Sequence, residues 1–589
     1  MSGPPTPFHQ QRLAWHLATL LTILLGVYCL LGTRQSASGT FDESNHLAAG
    51  LEWWQFGTYT QWTENPPLPR LAIAALPYFH GMRLPVPAEW DPKTHEWDRS
   101  WDVGSDCLYA GDGYETNLGR ARLGTLPFFL LALACAWGLA GGRRAPITGF
   151  FAVAMTATLP MLTAHGALAT TDIAFAGTFL LATLSLWRWF ATPTRARAIE
   201  LGASLGLALL CKFSLLVFFP ALLAGTLLAR RLASTPVLPL GDGKPLPARR
   251  LIAHAAWLAL AAFFVTWAGY RFSIGRIDDL PGEVRDWLRL VPPVGERGRF
   301  AAIWLHLRLP MPELFHGLRF LAAHNADGHE AYLLGHVSQH GFRSFYPLAL
   351  LVKTPLPFLA LWVLSLPLLA KNRAGAWTAL ASQFACLGIL LVSLASNVNI
   401  GLRHVIVILP LLAVGMARSL EKQLGESTKR RLLAGIVGVV VIAQAAIALR
   451  HRDTAIGYFN ALAGSEPAKV LLDSDLDWGQ DLFALRRETQ ARGIDQLTIA
   501  FFGTLRQCQH GLPKLTGLEP GKPATGWIAI SENYYRERST FRLVKDPCDP
   551  KSFYQAKEIP PHPFTWLHVY TPVAINGSSV RLYHLPGPN

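Results

Sequence analysis

Charged residues are scarce in this chain. Asp, Glu, Lys and Arg make up only 16% of its 589 residues, whereas hydrophobic residues make up 51% and the mean hydropathy is +0.26. An average soluble domain contains about a quarter charged residues. The deficit excludes an ordinary soluble globular protein, and the length is sufficient for a membrane domain together with one soluble domain.

The chain also lacks the cysteine patterns of metal-binding and redox proteins. Its seven cysteines are scattered, with no C-x-x-C pair and no zinc signature. Cys508 and Cys548 fall in a polar region, where a disulfide would persist in an oxidising compartment, but their spacing alone does not establish one. The cysteines in or beside apolar runs need no role beyond that of small buried residues, and they are Cys29, Cys135, Cys211 and Cys386.

No run of Lys and Arg is interleaved with stacking aromatics, as a nucleic-acid groove requires, although the net charge is +14. Basic residues instead occur in short loops between apolar runs, such as 141–146, 188–200 and 427–431. Short loops rich in Lys and Arg mark the cytoplasmic side of a membrane protein. We therefore interpret the charge as topogenic and expect no nucleic-acid partner.

Long apolar runs dominate what the chain does contain. The first run is too long for a signal peptide and no A-x-A site follows it, so we expect it to be retained. The break at Cys211-Lys212-Phe213 is either a turn between two spans or a polar interruption of one. A window of about 20 residues predicts eleven transmembrane helices, near 13–32, 123–141, 146–163, 172–190, 198–211, 214–230, 252–270, 346–370, 376–395, 402–418 and 432–449.

Alternation of sides from a cytoplasmic N-terminus divides the chain into two predicted parts. Residues 1–450 form an α-helical polytopic membrane domain. Within it, 33–122 is a first outer loop with interfacial helices, and 272–345 is a second outer loop. Residues 451–589 form a small α/β domain on the outer, extracytoplasmic face.

The pattern of the C-terminal part supports this α/β prediction. The apolar run Val470–Leu472 predicts a strand, and an acidic stretch follows it. Leu482 and Leu485 are spaced as one face of a helix requires. Further strands are predicted in the segments "QLTIAFFG", "GWIAISENYY" and "SSVRLYHL".

Two acidic positions lie where an outer active site would need them. Asp42 and Glu43 directly follow the first span, and His46 comes one helical turn later. Asp172 opens the fourth span on the same side, after "ATT". Solvation of a helix end and interaction with the helix dipole are the structural alternatives. A carboxylate at this depth is also suited to act as a general base on a hydroxyl group.

Three cations lie at outer membrane depth. Lys212 sits at the break between two spans, Lys353 about seven residues into the eighth, and Arg403 opens the tenth beside His404. A cation buried in a span costs several kcal/mol unless it is paired or functional. Snorkelling to the headgroups is the structural alternative. We interpret the three as candidate ligands of a lipid phosphate.

A histidine-rich segment and an acidic segment raise the question of metal binding. The acidic stretch "DSDLDWGQD" has the charge density of a calcium loop but lacks the Gly at its sixth position and the Glu at its twelfth. A structural loop is therefore the favoured interpretation. The spacings of the histidines match no metal template, and these residues are His324, His329, His336 and His340.

The ordered motifs of residues 10–450 resemble a bacterial glycosyltransferase family with the GT-C fold. This family includes protein O-mannosyltransferases and the aminoarabinose transferases of lipid A, and its members take sugar from a polyprenyl-phosphate carrier. The resemblance implies that Asp42 is catalytic with Glu43 beside it, and that Asp172 and Lys212 belong to the site. The motifs that carry it are "FDESNHLAAG", a later Trp, "ENPPL", "TTD", "CKFS" and "LLVKTPLP".

The predicted function is inverting transfer of a sugar from polyprenyl phosphate to an acceptor hydroxyl. The predicted substrate-binding residues are His46, Glu64, Asn65 and His404, with Lys212, Lys353 and Arg403 on the donor phosphate. The scheme requires no cofactor, and a divalent metal is a secondary alternative. MIR domains and a lipid A-specific signature are not evident, so the acceptor stays open. The alternatives are a lipid or glycan flippase, a metal-dependent oligosaccharyltransferase-like enzyme, and a non-catalytic sensor.

Overall fold

The computed structural model describes residues 8–85, 100–241, 243–277, 307–371, 375–425, 427–536 and 543–587. The first twelve helices are α1 Phe8–Ser36, α2 Glu43–Phe56, α3 Pro67–Phe79, α4 Ser100–Tyr109, α5 Tyr114–Leu123, α6 Leu126–Leu139, α7 Pro146–Ala157, α8 Pro160–Ala167, α9 Asp172–Ala191, α10 Arg195–Leu209, α11 Leu215–Leu232 and α12 Ala248–Gly269. The later ones are α13 Pro312–Asp327, α14 Phe345–Lys353, α15 Leu356–Lys371, α16 Trp377–Ser393, α17 Ile408–Gly425, α18 Ser427–Arg450, α19 Leu482–Ala491 and α20 Glu532–Tyr535.

The helices include a set that is long and apolar enough to cross a membrane. Six stretches of the described chain meet this condition, or up to eight if each of two bent helix pairs counts as one span. The six are Arg12–Ser36, Tyr114–Leu139, Asp172–Ala191, Leu215–Leu232, Ala248–Gly269 and Leu433–Arg450. The predicted helical membrane-type architecture is therefore confirmed, whereas the predicted count of eleven spans is not.

Proline accounts for both bent pairs. Helices α7 and α8 meet at 65°, and α8 begins at Pro160. Helices α14 and α15 meet at 111°, and Pro355 lies in the break between them. Proline lacks the backbone N–H that continues a helix, so each helix stops before it and a new one starts. The prediction near 346–370 therefore combined two helices that point in different directions.

The three remaining predicted spans correspond to shorter or more polar helices. The predictions 198–211 and 376–395 correspond to α10 and α16, with 15 and 17 residues. The prediction 402–418 corresponds to a 3-10 turn, Leu402–Val405, followed by α17. The break at Lys212 is a turn, because α10 ends at Leu209 and α11 begins at Leu215.

The first outer loop folds into helices α2 to α5, which pack into the protein. Residues 43–52 of α2 are buried, so this helix is a core element and does not lie on a surface as the sequence suggested. The indole N–H of Trp53 donates to the carbonyl of Gly269 at 3.0 Å. Gly57 ends α2 in the left-handed conformation, with φ +74°. In the second outer loop, residues 278–306 lie outside the described residues, and α13 follows them.

The C-terminal part contains a mixed five-stranded sheet. Its strands are β1 Gln496–Ala500, β2 Lys514–Gly517, β3 Gly526–Ser531, β4 Ala574–Asn576 and β5 Val580–Leu585, in the spatial order β4-β5-β3-β1-β2. Strand β1 pairs in parallel with β2 and β3, whereas β5 pairs antiparallel with β3 and β4. Short two-stranded pairs are Leu240–Gly241 with Lys244–Pro245, Ile274–Gly275 with Leu309–Pro310, Ala331–Leu333 with His336–Ser338, and Val544–Asp546 with Asp549–Phe553.

Most of the elements predicted for this part are present. Helix α19 and strands β1, β3 and β5 fall where the sequence pattern placed them, and Cys508 and Cys548 form a disulfide. The predicted strand at Val470–Leu472 is wrong. A 3-10 turn, Pro467–Lys469, leads into this apolar run, and Leu471 and Leu472 are instead buried in two different apolar clusters.

Lys353 joins the helical part to the C-terminal part. Its side chain is fully buried at the end of α14. The ammonium donates to the backbone carbonyls of Ile456 at 2.7 Å and Asp475 at 2.5 Å, and it lies 4.2 Å from the centre of the Phe459 ring. These contacts satisfy the ammonium within the protein. They explain why an otherwise apolar helix contains a lysine.

Replacement of Lys353 by Met is expected to destabilise the fold. Two buried carbonyls would lose their donor, which costs about 1–3 kcal/mol each. The Tm of the detergent-solubilised protein should fall, and proteases should cut between 451 and 472 more readily. Lys371→Met is the matched control, because Lys371 is exposed at the end of α15. Equal Tm values for the two variants would contradict the structural role of Lys353.

Candidate active site

Four of the residues singled out from the sequence form one chain of alternating charges. Lys212 Nζ donates to Asp172 Oδ1 at 2.6 Å. Arg403 Nη1 donates to Asp42 Oδ2 at 3.0 Å and lies 3.8 Å from Asp172 Oδ2. The structure therefore brings together two carboxylates and two cations that are up to 361 positions apart in sequence.

Each of these side chains comes from the end of a different helix or turn. Asp42 is the residue before α2, and Asp172 is the first residue of α9. Lys212 lies in the turn between α10 and α11, and Arg403 lies in the 3-10 turn Leu402–Val405. Helix ends tolerate polar side chains because their backbone groups already require polar partners. The sequence therefore places charge where apolar helices meet.

Asp42 does not cap the helix that follows it. Its side chain makes no hydrogen bond to the first turn of α2, and its carboxylate contacts Arg403 instead. The side chain is 26% exposed, whereas that of Asp172 is 1% exposed. Desolvation raises the pKa of Asp42 above its usual value, and the Arg403 guanidinium only partly offsets this. A raised pKa makes the ionised carboxylate a stronger base.

Glu43 has a different environment from its neighbour. Its two oxygens accept a bidentate pair from Arg122, at 2.8 and 2.7 Å, and two backbone N–H groups, from Thr40 and Ala169, at 2.8 Å each. Burial opposes ionisation, but Arg122 and the backbone donors outweigh it and lower the pKa of Glu43. Arg122 also donates to the carbonyls of Ala37 and Ser38. Each Glu43 oxygen therefore accepts two hydrogen bonds, and the side chain stabilises the first outer loop.

A second layer of side chains borders the charge chain. Arg70 is completely buried in α3 and donates from Nε to His46 Nδ1 at 3.1 Å. Burial and the Arg70 charge lower the pKa of His46 well below its usual value, so the imidazole is neutral. Arg70 Nη1 also donates to Tyr59 and to the carbonyl of Trp62. These bonds fix the segment that carries Glu64.

The Glu64 carboxyl group interacts electrostatically with Arg70 and Asp42. Burial raises the pKa of Glu64 to about 8; the Arg70 charge opposes this and the Asp42 charge adds to it. Asn65 Nδ2 donates to Glu64 at 3.4 Å, while the Asn65 carbonyl accepts from Tyr59 at 2.5 Å. The structure therefore places Glu64 near Asp42 and makes Asn65 its neighbour. At neutral pH Glu64 is mainly protonated and is able to donate a hydrogen bond.

Several buried polar atoms around the charge chain have no hydrogen-bond partner within the described chain. They include Arg403 Nε, Asp172 Oδ2, His404 Nε2 and both ring nitrogens of His165. His165 Nδ1 is 3.9 Å from Asp172 Oδ2, a distance too long for a hydrogen bond. Buried polar groups are nearly always satisfied, so a cluster of unsatisfied ones indicates a place where substrate or solvent binds.

Lys353 is not among the cations of this chain, because two carbonyls already hold its ammonium. Among the residues that the structure describes, no group of three or more His, Cys, Asp or Glu side chains is arranged to hold a metal ion. In the histidine-rich segment, the His324 and His329 rings are 5.4 Å apart and His324 stacks on Phe320.

The sequence pattern does not indicate several residues of this region. It does not single out Arg70, Arg122 or His165, and it places Trp478 only within an acidic loop. Arg70 did carry a signal, since a lone Arg in the apolar helix "PPLPRLAIAAL" requires a buried partner. Arg122 precedes an apolar run and resembles a topogenic charge, so nothing in its sequence context distinguishes it.

A family model matches one segment of the chain. The family model described as dolichyl-phosphate-mannose-protein mannosyltransferase matches residues 117–241, about a fifth of the chain. This segment contains Asp172 and Lys212 but neither Asp42 nor Arg403. The predicted resemblance to this kind of glycosyltransferase is therefore confirmed, within that segment. No curated protein gives a significant sequence match.

Solved structures with a similar backbone arrangement are also known. ArnT from Cupriavidus metallidurans bound to undecaprenyl phosphate is 13% identical, with 97% of this chain and 99% of ArnT covered and a TM-score of 0.46. Its apo form is 13% identical, with 96% of this chain and 97% of ArnT covered and a TM-score of 0.44. The archaeal oligosaccharyltransferase AglB from Archaeoglobus fulgidus, in complex with an inhibitory peptide and a dolichol-phosphate, is 15% identical, with 74% and 56% covered and a TM-score of 0.40. These values transfer no residue role to this chain.

The two neighbouring acids should respond differently to substitution. Glu43→Ala would leave the Arg122 guanidinium buried without a counter-charge, which costs about 3–5 kcal/mol when a buried pair is broken. Asp42→Asn keeps the size of a side chain that is a quarter exposed, and should change stability by less than about 1 kcal/mol. Thermal unfolding in detergent checks both. A larger loss in Asp42→Asn than in Glu43→Ala would contradict the assigned roles.

Proposed function

We propose that this protein is a GT-C-type glycosyltransferase that transfers a sugar, with inversion, from a polyprenyl-phosphate carrier to an acceptor hydroxyl. The reaction takes place on the outer face of a bacterial cytoplasmic membrane. The observation that carries the proposal is the chain Asp42–Arg403–Asp172–Lys212, in which a partly exposed carboxylate is paired with one cation and a buried carboxylate joins that cation to a second. The match of residues 117–241 to a mannosyltransferase family supports the same reaction class.

Asp42 is the proposed general base. Its carboxylate removes the proton of the acceptor hydroxyl as that oxygen attacks the anomeric carbon of the donor sugar. The bond between this carbon and the phosphate oxygen breaks, and its electron pair leaves with the phosphate. The products are the glycosylated acceptor, protonated Asp42 and a polyprenyl phosphate that carries one more negative charge than the donor phosphodiester.

Arg403 and Lys212 are the proposed phosphate ligands. Arg403 Nε has no partner within the described chain, and the Lys212 side chain is 15% exposed, so both cations retain capacity for a further anion. Fixed cations aimed at developing charge stabilise a transition state more effectively than water does. This charge stabilisation replaces an acid catalyst, because the leaving phosphate needs no proton at neutral pH.

Asp172 is the proposed positioning group for both cations. It lies at the N-terminus of α9, where the helix dipole favours a negative charge. With 1% of its side chain exposed, it has little direct access to a substrate. His46, His404 and Glu64 border the same cluster and are proposed to contact the sugar or the acceptor. Lys353 is left out of the donor site because its ammonium is already satisfied.

Transfer of radiolabelled sugar from polyprenyl-phosphate sugars by the purified protein in nanodiscs tests the proposal. Asp42→Asn should lower kcat by about 100-fold or more, because general-base catalysis contributes about 10²–10⁴-fold. Binding of undecaprenyl phosphate should be retained in this variant, since Asn keeps the size of the side chain while Arg403 and Lys212 stay in place. EDTA in parallel separates this scheme from a metal-dependent one.

The matched control is Asp453→Asn, which removes a carboxylate that is 54% exposed after the last predicted span. Undiminished transfer by Asp42→Asn would remove Asp42 as the base. Loss of transfer in EDTA, with recovery on addition of a divalent metal, would favour the oligosaccharyltransferase-like alternative. If the wild-type protein transfers sugar from none of the donors, the result would favour the transporter and sensor alternatives.

Glu64 should give the reaction an alkaline limit. Its pKa of about 8 means that the neutral acid predominates below this pH and the carboxylate above it. Ionisation would place another negative charge beside Asp42 and the anionic donor. The KM for the donor should therefore rise several-fold as the pH passes through about 8 in the wild type. Glu64→Gln mimics the neutral acid and should keep a low KM through this range.

Steady-state kinetics between pH 6 and pH 10 (on the order of one measurement per half unit) would resolve this rise. Glu519→Gln, at an exposed position of the C-terminal part, controls for loss of a surface charge. An alkaline rise in KM that persists unchanged in Glu64→Gln would show that another group is responsible.

A further inference from the structure

The acidic segment of the C-terminal part reaches both partners of the Asp42–Arg403 ion pair. This segment, residues 473–481, is here named the acidic loop. Its Asp475 and Asp477 are completely buried, and its Trp478 is 2% exposed. A loop with this many buried polar side chains requires specific partners. These partners include residues of the first outer loop and of the turn that carries Arg403.

On the Asp42 side, the acidic loop pairs with the backbone that leads to Asp42. Ser38 N donates to the Gln480 carbonyl at 2.8 Å, and Phe41 N donates to the Trp478 carbonyl at 3.1 Å. The Ser38 hydroxyl donates to the Gly479 carbonyl at 2.9 Å. The position of the proposed base therefore depends on main-chain contacts with the loop.

On the Arg403 side, the loop contacts both the backbone and the side chain. Leu402 N donates to Asp475 Oδ1 at 3.1 Å, and the Ser474 hydroxyl donates to the Ile400 carbonyl. The approach is so close that a Cβ at Gly401 would clash with the Ser474 hydroxyl. The guanidinium carbon of Arg403 lies 4.2 Å from the centre of the Trp478 ring.

Trp478 is itself held firmly. Its backbone N–H donates to Gln480 Oε1 at 2.8 Å. The residue before it, Asp477, accepts from the backbone N–H of Asn533 at 2.9 Å, and the Asn533 side chain donates back to the Asp477 carbonyl at 2.7 Å. A ring fixed in this way and shielded from water gives a cation–π contact its largest effect.

We propose that Trp478 is a positioning residue for donor binding, through the face of its indole ring against the Arg403 guanidinium. The proposal rests on the proposed function, in which Arg403 binds the donor phosphate. The ring holds the guanidinium between Asp42 and Asp172 while leaving Nε free for the phosphate. The C-terminal part thereby contributes a side chain to the active site of the helical part.

Binding of undecaprenyl phosphate to the full-length protein in nanodiscs tests this role. Trp478→Leu removes the ring but keeps an apolar side chain, and the Kd should rise about tenfold because a buried cation–π contact is lost. Trp478→Phe retains a weaker ring, and the Kd should rise only about threefold. A merely structural role would lower the number of binding sites through loss of folded protein but would leave the Kd unchanged.

Trp527→Leu is the matched control. Trp527 belongs to the same C-terminal part, stacks on His584 with ring centres 4.4 Å apart, and has Arg492 5.9 Å from its ring. It is remote from the acidic loop in sequence and makes no described contact with the charge chain. Its replacement should leave the Kd for undecaprenyl phosphate unchanged.

The outcomes separate this proposal from the proposed function. Wild-type binding with a raised Kd in Trp478→Leu, partly restored in Trp478→Phe, supports the positioning role. Wild-type binding with equal Kd values in Trp478→Leu and Trp527→Leu overturns that role alone. No binding of undecaprenyl phosphate by the wild type overturns donor binding, and the positioning role with it.

Discussion

The Arg403 guanidinium between Asp42 and Asp172 is the interaction around which the proposed active site is built. Removal of a guanidinium from water costs several kcal/mol, and only close carboxylates and correct geometry offset that cost. Asp42, Asp172 and Arg403 come from different elements of the chain. The first outer loop, the start of α9 and the turn at Arg403 therefore meet at one guanidinium, and the acidic loop contacts two of the three.

Two ion pairs begin at adjacent residues, one partly exposed and one buried, and they differ in how many of their polar atoms are hydrogen-bonded. Glu43 and Arg122 share a bidentate pair to which backbone groups add further hydrogen bonds. Such a network stabilises one conformation and leaves nothing for a ligand. Asp42 and Arg403 share one hydrogen bond, and Arg403 Nε is unsatisfied. In the proposed function, Glu43 therefore has a structural role, whereas Asp42, its neighbour in the same turn, is the base.

The sequence was sufficient for the helical membrane architecture and for singling out the four residues of the charge chain, because an unpaired charge at the end of an apolar run has a high energetic cost. It was not sufficient to separate Asp42 from Glu43. Successive residues at a helix start point about 100° apart, so adjacent acids meet unrelated partners. Lys353 looked like a phosphate ligand because its two carbonyl acceptors belong to a distant segment. Bent helix pairs likewise have the composition of one span, and only tertiary structure reveals the angle between their axes.

Charge balance links the base to the phosphate ligands in the proposed reaction. Asp42 and Asp172 carry two negative charges, and Lys212 and Arg403 carry two positive charges, so the chain is neutral before a donor binds. The leaving phosphate gains one negative charge as the bond to the sugar breaks. In the same step Asp42 gains a proton and loses its charge.

Loss of the Asp42 charge removes its attraction for Arg403. The full charge of Arg403 then becomes available to the phosphate while negative charge develops on it. One proton transfer therefore activates the nucleophile and strengthens the site that stabilises the leaving group, which is a reason for the base and the phosphate-binding cation to be hydrogen-bonded to each other.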